Sequence, residues 1–392
     1  MSWKESSVVN ERMSFITRLN AGERMSDLCL HYGISRKTGY KFKERFERLG
    51  LVGLGDQSRA PIRNRRLRGP VADLVLDLRR KQPTWGPRKL VEVLRQRHPG
   101  VALPGATAVG SLLDREGLVT PQRRRNRVPL FPDHLSQGAS ANEVWSADYK
   151  GQFRLGNTNY CYPLTISDDA TRFLIAIDGF ERINLEEARI AFEGAFTKYG
   201  LPKVIRTDNG APFASCGLLG LTRLSVFWIK QGIRPERIKP GEPQQNGRHE
   251  RMHRTLKAET TRPAAKNLLQ QQERFDCFVE TYNTVRPHEA LGMATPAKVY
   301  QPSSRILTAK TLDYPLHDDV LKVDPSGHVN IIRRRGGSFF VSGALAGEQI
   351  GVRELEDDTW LLTFASLDLG IYDPRSHHFQ QIDIPVSAPP ET

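Results

Sequence analysis

Three carboxylates lie where phosphoryl chemistry would need them. Asp148 interrupts an otherwise apolar run, Val144–Tyr149. Asp208 ends the run 203–207 and precedes Asn209-Gly210, a pair that lets a backbone or substrate approach closely. Glu250 lies in GEPQQNGRHERMHRTLK, residues 241–257, which reads as a loop running into a helix. At 100° per residue, Arg254 and Lys257 fall within about 40° of Glu250, with Met252 and Leu256 opposite to pack the helix down. A lone buried carboxylate is costly unless paired or bound to a cation. Three of them, with little Lys or Arg on the two strands beside them, repel one another, and divalent metal relieves that repulsion. Two Mg²⁺ (or Mn²⁺) ions about 4 Å apart would clamp the attacking and leaving oxygens of an in-line phosphoryl displacement. Asp148 is expected to bridge both ions, with Asp208 and Glu250 each completing one site. No covalent protein nucleophile is then needed.

Other side chains compete for these roles. Between Asp208 and Glu242 lie 33 residues, against 41 before Glu250, but Glu242 directly precedes Pro243 in a loop. Asp168 and Asp169 read as turn residues, and Asp178 as a solvated turn residue. His249 and His253 of HERMH stand four residues apart with Glu250 between them, the His-Glu-x-x-His spacing that can hold zinc, yet zinc is not expected here.

The elements that must position these acids are readable from period and turn signals. Strands are expected at 144–149, 160–167 and 173–178, with a hairpin turn at 155–158. An amphipathic helix at 185–199, a strand at 203–207, helix-forming residues 216–230, a short strand near 237–239 and the Glu250 helix complete the unit. That order predicts an α/β core, residues 142–305, with a mixed sheet and helices on both sides.

Asp148, TDNG at 207–210, PQQNGRHERMHRTLK at 243–257 and YNTVRPHEALG at 282–292 resemble the integrase core of bacterial insertion-sequence transposases and retroviral integrases. The resemblance implies a ribonuclease-H-like fold and an Asp-Asp-Glu metal site made of Asp148, Asp208 and Glu250. It implies that Arg254 and Lys257 touch element-end DNA. Tyr282, Asn283, Arg286, Pro287 and His288 are expected to brace the active-site helix, with Arg286 or His288 also able to reach phosphate. The gap between Asp208 and Glu250 is longer than is usual in the family. The extra residues, around 216–229, are expected to lengthen a helix. No His/Cys zinc module precedes the core, so the insertion-sequence branch fits better than the retroviral one.

Charge separates the front of the chain from the rest. Residues 1–140 hold 27 Lys/Arg and 13 Asp/Glu (+14), and the remainder holds 57 − 27 = 30 basic and 44 − 13 = 31 acidic residues (−1). A basic front end joined to a neutral body points to nucleic acid. Residues 1–50 read as a helix-turn-helix domain, with Ser26 and Ser35 as helix caps and Gly33-Ile34-Ser35 as the turn. Arg36, Lys37, Tyr40, Lys41 and Lys43 on its second helix are candidate DNA contacts. A basic linker, 51–69, carries Arg63, Arg65, Arg66 and Arg68. A second helical DNA-binding domain is expected at 70–120, and a second basic linker at 121–141 with Arg123, Arg124 and Arg125. After the core, residues 306–385 contain five short β runs that suggest a small barrel, with a phosphate contact at Arg333-Arg334-Arg335 and a tail at 386–392.

The 392 residues exceed one ordinary domain. The sequence contains no apolar run long enough to span a membrane, and the polar N-terminus argues against a secretory signal. Cys29, Cys161, Cys216 and Cys277 are scattered, which fits a reducing, cytoplasmic, nucleoid-associated setting. The expected activity is that of a DNA transposase: it binds terminal inverted repeats, cleaves 3′ ends with metal, and joins them to target double-stranded DNA as a homo-oligomer. A DNA-binding regulator with an inactive core and a ribonuclease-H-type nuclease are the alternatives.

Overall fold

The computed structural model describes residues 8–56, 67–119, 135–149, 151–239, 243–309, 311–330, 337–355 and 359–382, with only the backbone at Pro243 and Gln244. The chain divides into two compact units, Met1–Arg66 and Leu67–Thr392.

The first unit has three helices, α1 (Val8–Asn20), α2 (Met25–His31) and α3 (Arg36–Leu49), closed by a turn at Gly50–Leu54. Ser35 caps α3, its hydroxyl accepting the Thr38 amide at 3.2 Å. The expected Ser26 cap is not made. Helix α2 begins two residues earlier, Arg24 holds the cap position, and the Ser26 hydroxyl donates to Asp27 instead. Phe15, Ile16, Leu28, Phe42 and Leu54 form the core. Gly39 makes it possible for α3 to close on that core. A Cβ there would sit 2.7 Å from both Cys29 Sγ and Met25 Sδ.

The second unit opens with α4 (Pro70–Lys81), α5 (Pro87–Arg97) and α6 (Ala106–Arg115), packed around Val75, Trp85, Leu90, Val109 and Leu112. Proline at the first turn of α4 and α5 is pre-set for helix and lacks the amide that would go unpaired there.

The central sheet contains β1 (Val144–Tyr149), β2 (Phe153–Arg154), β3 (Tyr160–Asp168), β4 (Leu174–Phe180), β5 (Val204–Thr207) and β6 (Arg234–Arg237). Its order is β4-β3-β1-β5-β6, and β2 also pairs with β3. β1 and β4 run antiparallel to β3, while β1, β5 and β6 run parallel, so the sheet is mixed as expected. On one face Trp145, Ala147, Leu164, Ile166 and Ile205 pack against α7 (Leu185–Tyr199) and α8 (Arg223–Lys230). Two more helices, α9 (Gly247–Thr260) and α10 (Leu268–Thr284), contribute Met252, Leu256, Phe275 and Phe278 to a separate apolar cluster with Cys161 and Ile177.

The extra residues after Asp208 do not lengthen a helix. They form a turn at Leu218–Gly220 and the short α8, whose start is fixed by a capping box between Thr222 and Ser225. Leu218, Leu221, Val226 and Ile229 then pack against the C-terminal strands. The insertion is therefore the seat of the C-terminal domain. The short strand expected near 237–239 lies earlier, at β6, an edge position that tolerates Pro235.

The C-terminal strands are β7 (Asp319–Lys322), β8 (His328–Asn330), β9 (Ser338–Phe340), β10 (Gln349–Glu354), β11 (Trp360–Phe364), β12 (Leu367–Asp373) and β13 (His378–Gln381). They correct the expected barrel. Among the described residues they form an open antiparallel sheet, β13-β12-β11-β10-β7, and a separate β8-β9 ribbon. Closure is not needed to bury the apolar side chains. Val329 and Phe339 of the ribbon and the residues of the insertion join the same core, with Phe339 stacked on Tyr372 at 3.9 Å.

Candidate active site

The β1–β5 register pairs Ser146 with Arg206. Continued by two residues, it brings Asp148 level with Asp208 at the ends of neighbouring parallel strands, which run about 4.8 Å apart. Side chains alternate along a strand, so Ser146, Asp148, Arg206 and Asp208 point away from the core that holds Trp145, Ala147 and Ile205. β3 adds Thr165 opposite Asp148 and Ser167 opposite Ser146. Both aspartates are half-buried. An Asp208 oxygen accepts the Gly210 amide at 3.0 Å, and Asn209 donates to the Ile238 carbonyl at 2.7 Å. These bonds fix the turn that follows the acid.

Helix α9 crosses this polar stripe and is fastened to it by histidines. His249 Nε2 and His253 Nε2 lie 2.7 and 2.6 Å from Thr165 Oγ1, which itself donates to the Asp148 carbonyl at 3.0 Å. A hydroxyl has one proton, so both imidazoles must donate to Thr165. His249 Nδ1 then accepts from Ser167 Oγ at 2.9 Å. Burial pulls the His249 pKa down to about 3 and keeps the ring neutral. His253 Nδ1 faces Asp148 Oδ2 at 3.7 Å.

Glu250 is three residues before His253, so the two are neighbours on the helix surface. Met252 and Leu256 are buried as expected, while Glu250, Arg254 and Lys257 are exposed along one stripe. Among the described residues no three His, Cys, Asp or Glu side chains cluster closely enough to hold an ion together. The donors at the sheet end are carboxylate oxygens, which suit Mg²⁺ or Mn²⁺.

The two strand-end aspartates differ in role. Asp168 serves the turn, accepting the Asn142 and Thr171 amides and the Thr171 hydroxyl. Asp169 does more than the turn role expected of it. Its carboxylate lies 2.9 Å from Arg248 and 3.4 Å from Arg206. Arg206 also corrects the expectation of few cations on these strands. It is a buried cation on β5, neutralised by Glu236 at 2.7 Å as well as by Asp169. Asp178 is not a solvated turn residue either. It lies within β4, and burial beside Asp276 pushes its pKa up to about 6.

The 282–288 segment braces rather than reaches outward. Asn283 bonds both the amide and the carbonyl of Leu174 at 2.8 Å. Arg286 is buried and pairs with Glu259 of α9 at 2.9 Å, while Thr84 of the preceding helical domain donates to the same carboxylate. The Arg286 charge is thus taken up within the fold by Glu259. Tyr282 is buried beside the His288 ring at 4.7 Å.

Arg36, Lys37, Tyr40 and Lys41 are exposed on α3, whereas Lys43 is half-buried and 3.8 Å from Glu47. Arg68 is exposed before α4. Arg63, Arg65, Arg66, Arg123, Arg124 and Arg125, together with Glu242 and Arg333-Arg334-Arg335, lie outside the described residues.

Two integrase core domain profiles match residues 138–243 and 231–296, the stretch that carries all three acids. A helix-turn-helix domain profile matches 11–62 and a homeodomain-like domain profile 38–113. These matches place an integrase core domain over residues 138–296, behind helix-turn-helix regions. The chain is 27% identical over 227 residues to the insertion element IS476 uncharacterized 39.2 kDa protein of Xanthomonas euvesicatoria, covering 57% of this chain and 62% of that one. It is 28% identical over 195 residues to the insertion element IS407 uncharacterized 31.7 kDa protein of Burkholderia multivorans, covering 47% and 66%. The chain thus spans just under two-thirds of each relative. Among solved structures, the HTLV-2 integrase catalytic core domain in complex with magnesium is 18% identical, with 42% of this chain and all of that one covered at a TM-score of 0.34. The described residues contain no helix long and apolar enough to cross a membrane.

Proposed function

We propose that the protein is a DNA transposase whose core cleaves the 3′ ends of a mobile element and joins them to target DNA. The observation that carries this reading is the level placement of Asp148 and Asp208 on adjacent parallel strands, with the Glu250 helix fastened across the same face through His249 and His253. Divalent ions, two in this reading, would stabilise the charge on the attacking and leaving oxygens. Asp148, Asp208 and Glu250 are the residues that would hold them. Thr165 and the two histidines keep α9 against Asp148, and Arg254 and Lys257 present positive charge to the phosphates beside it. The α3 surface of the first unit would read the inverted repeats, with Arg36, Lys37, Tyr40 and Lys41 outermost. Two element ends must be held together, so the working form would be a homo-oligomer.

Mg²⁺ and a duplex oligonucleotide carrying the element's end test the reading. Joined products support transposition, hydrolysis alone supports a nuclease, and binding alone supports a regulator. Asp148→Asn, Asp208→Asn and Glu250→Gln should each cut joining by at least about a hundredfold, with end binding largely kept. Glu242→Gln should remain active. An inactive Glu242→Gln beside an active Glu250→Gln would reverse the choice of third acid.

A further inference from the structure

Asp169 meets the residue two positions before each of the three acids. Its Oδ1 lies 3.5 Å from Ser146 Oγ, on the Asp148 strand. Its Oδ2 lies 3.4 Å from Arg206 Nη1, on the strand that leads to Asp208. The same Oδ2 accepts from Arg248 Nη1 at 2.9 Å, on the first turn of the Glu250 helix. A residue two positions away on a strand shares the face of its neighbour, so Ser146 and Arg206 report directly on where Asp148 and Asp208 sit. Arg248 lies in the same helical turn as Glu250, so fixing it limits how that turn can slide or rotate.

The carboxylate is built in. The Asp169 and Arg206 side chains are each 6% exposed and that of Glu236 is 2% exposed, while Arg248 is 43% exposed. Asp169 and Glu236 together balance Arg206 and Arg248. Arg206 has a second anion in Glu236, but Asp169 is the only acid paired with Arg248 among the described residues. Losing the Asp169 carboxylate would therefore loosen the Arg248 side of the helix's first turn, with His249 and His253 still holding the helix to β3 and the strands still pinned.

We propose that Asp169 is a positioning residue that sets the three acids in register and, above all, holds the Glu250 helix at the end of the sheet. The proposal rests on the assignment of those acids as the metal-holding set. It predicts that Asp169 acts through Glu250 rather than on its own.

The test is Mn²⁺ binding to the full chain without DNA, followed by electron paramagnetic resonance, with end-DNA binding and melting temperature measured alongside. Asp169→Asn and Arg248→Gln should each weaken Mn²⁺ binding by about 10- to 100-fold with end binding unchanged. Arg248→Lys, which keeps the charge, should recover most of the loss. The double variant Asp169→Asn/Glu250→Gln should bind Mn²⁺ no worse than Glu250→Gln alone, because both changes remove the same ligand. Effects that multiply, or an Asp169→Asn chain that binds Mn²⁺ normally while Glu250→Gln does not, would overturn the proposal alone. A Glu250→Gln chain that binds Mn²⁺ normally would overturn the acid assignment and the proposal with it. If Asp169→Asn does not fold, Arg248→Gln, on a half-exposed side chain, decides the matter by the same comparisons.

Discussion

Arg254 and Lys257 share the exposed stripe of α9 with Glu250, and no described acid pairs with either. Charges so placed serve a polyanion better than they serve folding, since the apolar side of the helix already anchors it through Met252 and Leu256. Lys257→Ala should weaken end-DNA binding similarly across sequences and reduce the slope of log affinity against log salt by about one. An unchanged slope, measured by titration at several salt concentrations, would remove Lys257 from the DNA path. The three candidate acids stand out in the sequence because each breaks a local pattern: an apolar strand, a strand end, a helix with an apolar back. The Asp169 hub was not legible. Its partners Ser146, Arg206 and Arg248 are scattered along the sequence, and only strand register and the seating of α9 bring them together.

Elements show the same division between local and non-local information. The helix at 185–199 matched its expected bounds, because Asn184 caps it and Gly200 ends it with φ of +74°. The C-terminal runs were legible as strands, but not their arrangement, because what covers their apolar side chains comes partly from residues 218–229 far upstream. Helix α10 shows how a sheet edge is protected. Among the described residues β4 pairs only with β3, and two amide side chains of α10 take up its outer backbone groups, Gln272 at Ile177 and Gly179 and Asn283 at Leu174. The same junction brings Asp276 towards Asp178, whose pKa rises to about 6 through burial first and that charge second. A folded-state pKa above the unfolded value means the native chain holds the proton more tightly. The associated stability is full below about pH 4 and is lost as pH rises through about 6. Asp178→Asn should therefore raise the melting temperature by a few degrees at pH 8 and by almost nothing at pH 4. Equal shifts at both pH values in a thermal melt would count against this account of the junction.

At the scale of the whole chain, the excess charge and the compact units divide differently. The basic front extends through residue 140, yet the boundary between units falls at Arg66, so the second helical domain belongs with the core. Its attachment is specific. Thr84 and Arg286 converge on Glu259 of α9, Arg88 pairs with Glu289, and Val285 packs against the helical core. Composition suggested two similar DNA-reading modules, but burial distinguishes them. Arg36, Lys37 and Lys41 on α3 of the first unit are exposed, while part of the second module supports the helix that carries Glu250. A chain beginning at Leu67 should thus fold, bind Mn²⁺ like the full protein and retain non-specific, salt-sensitive DNA binding. It should lose most of its preference for element ends over unrelated duplex, a ratio that for full-length specific readers is typically about 10³ or more. A chain beginning at residue 120 should instead lose melting cooperativity, because Glu259 and Arg286 would be left without Thr84 and the apolar cover around Val285. Competition binding and calorimetry on the two truncations separate these roles. Retained end preference in the Leu67 chain would move sequence reading from α3 to the second module.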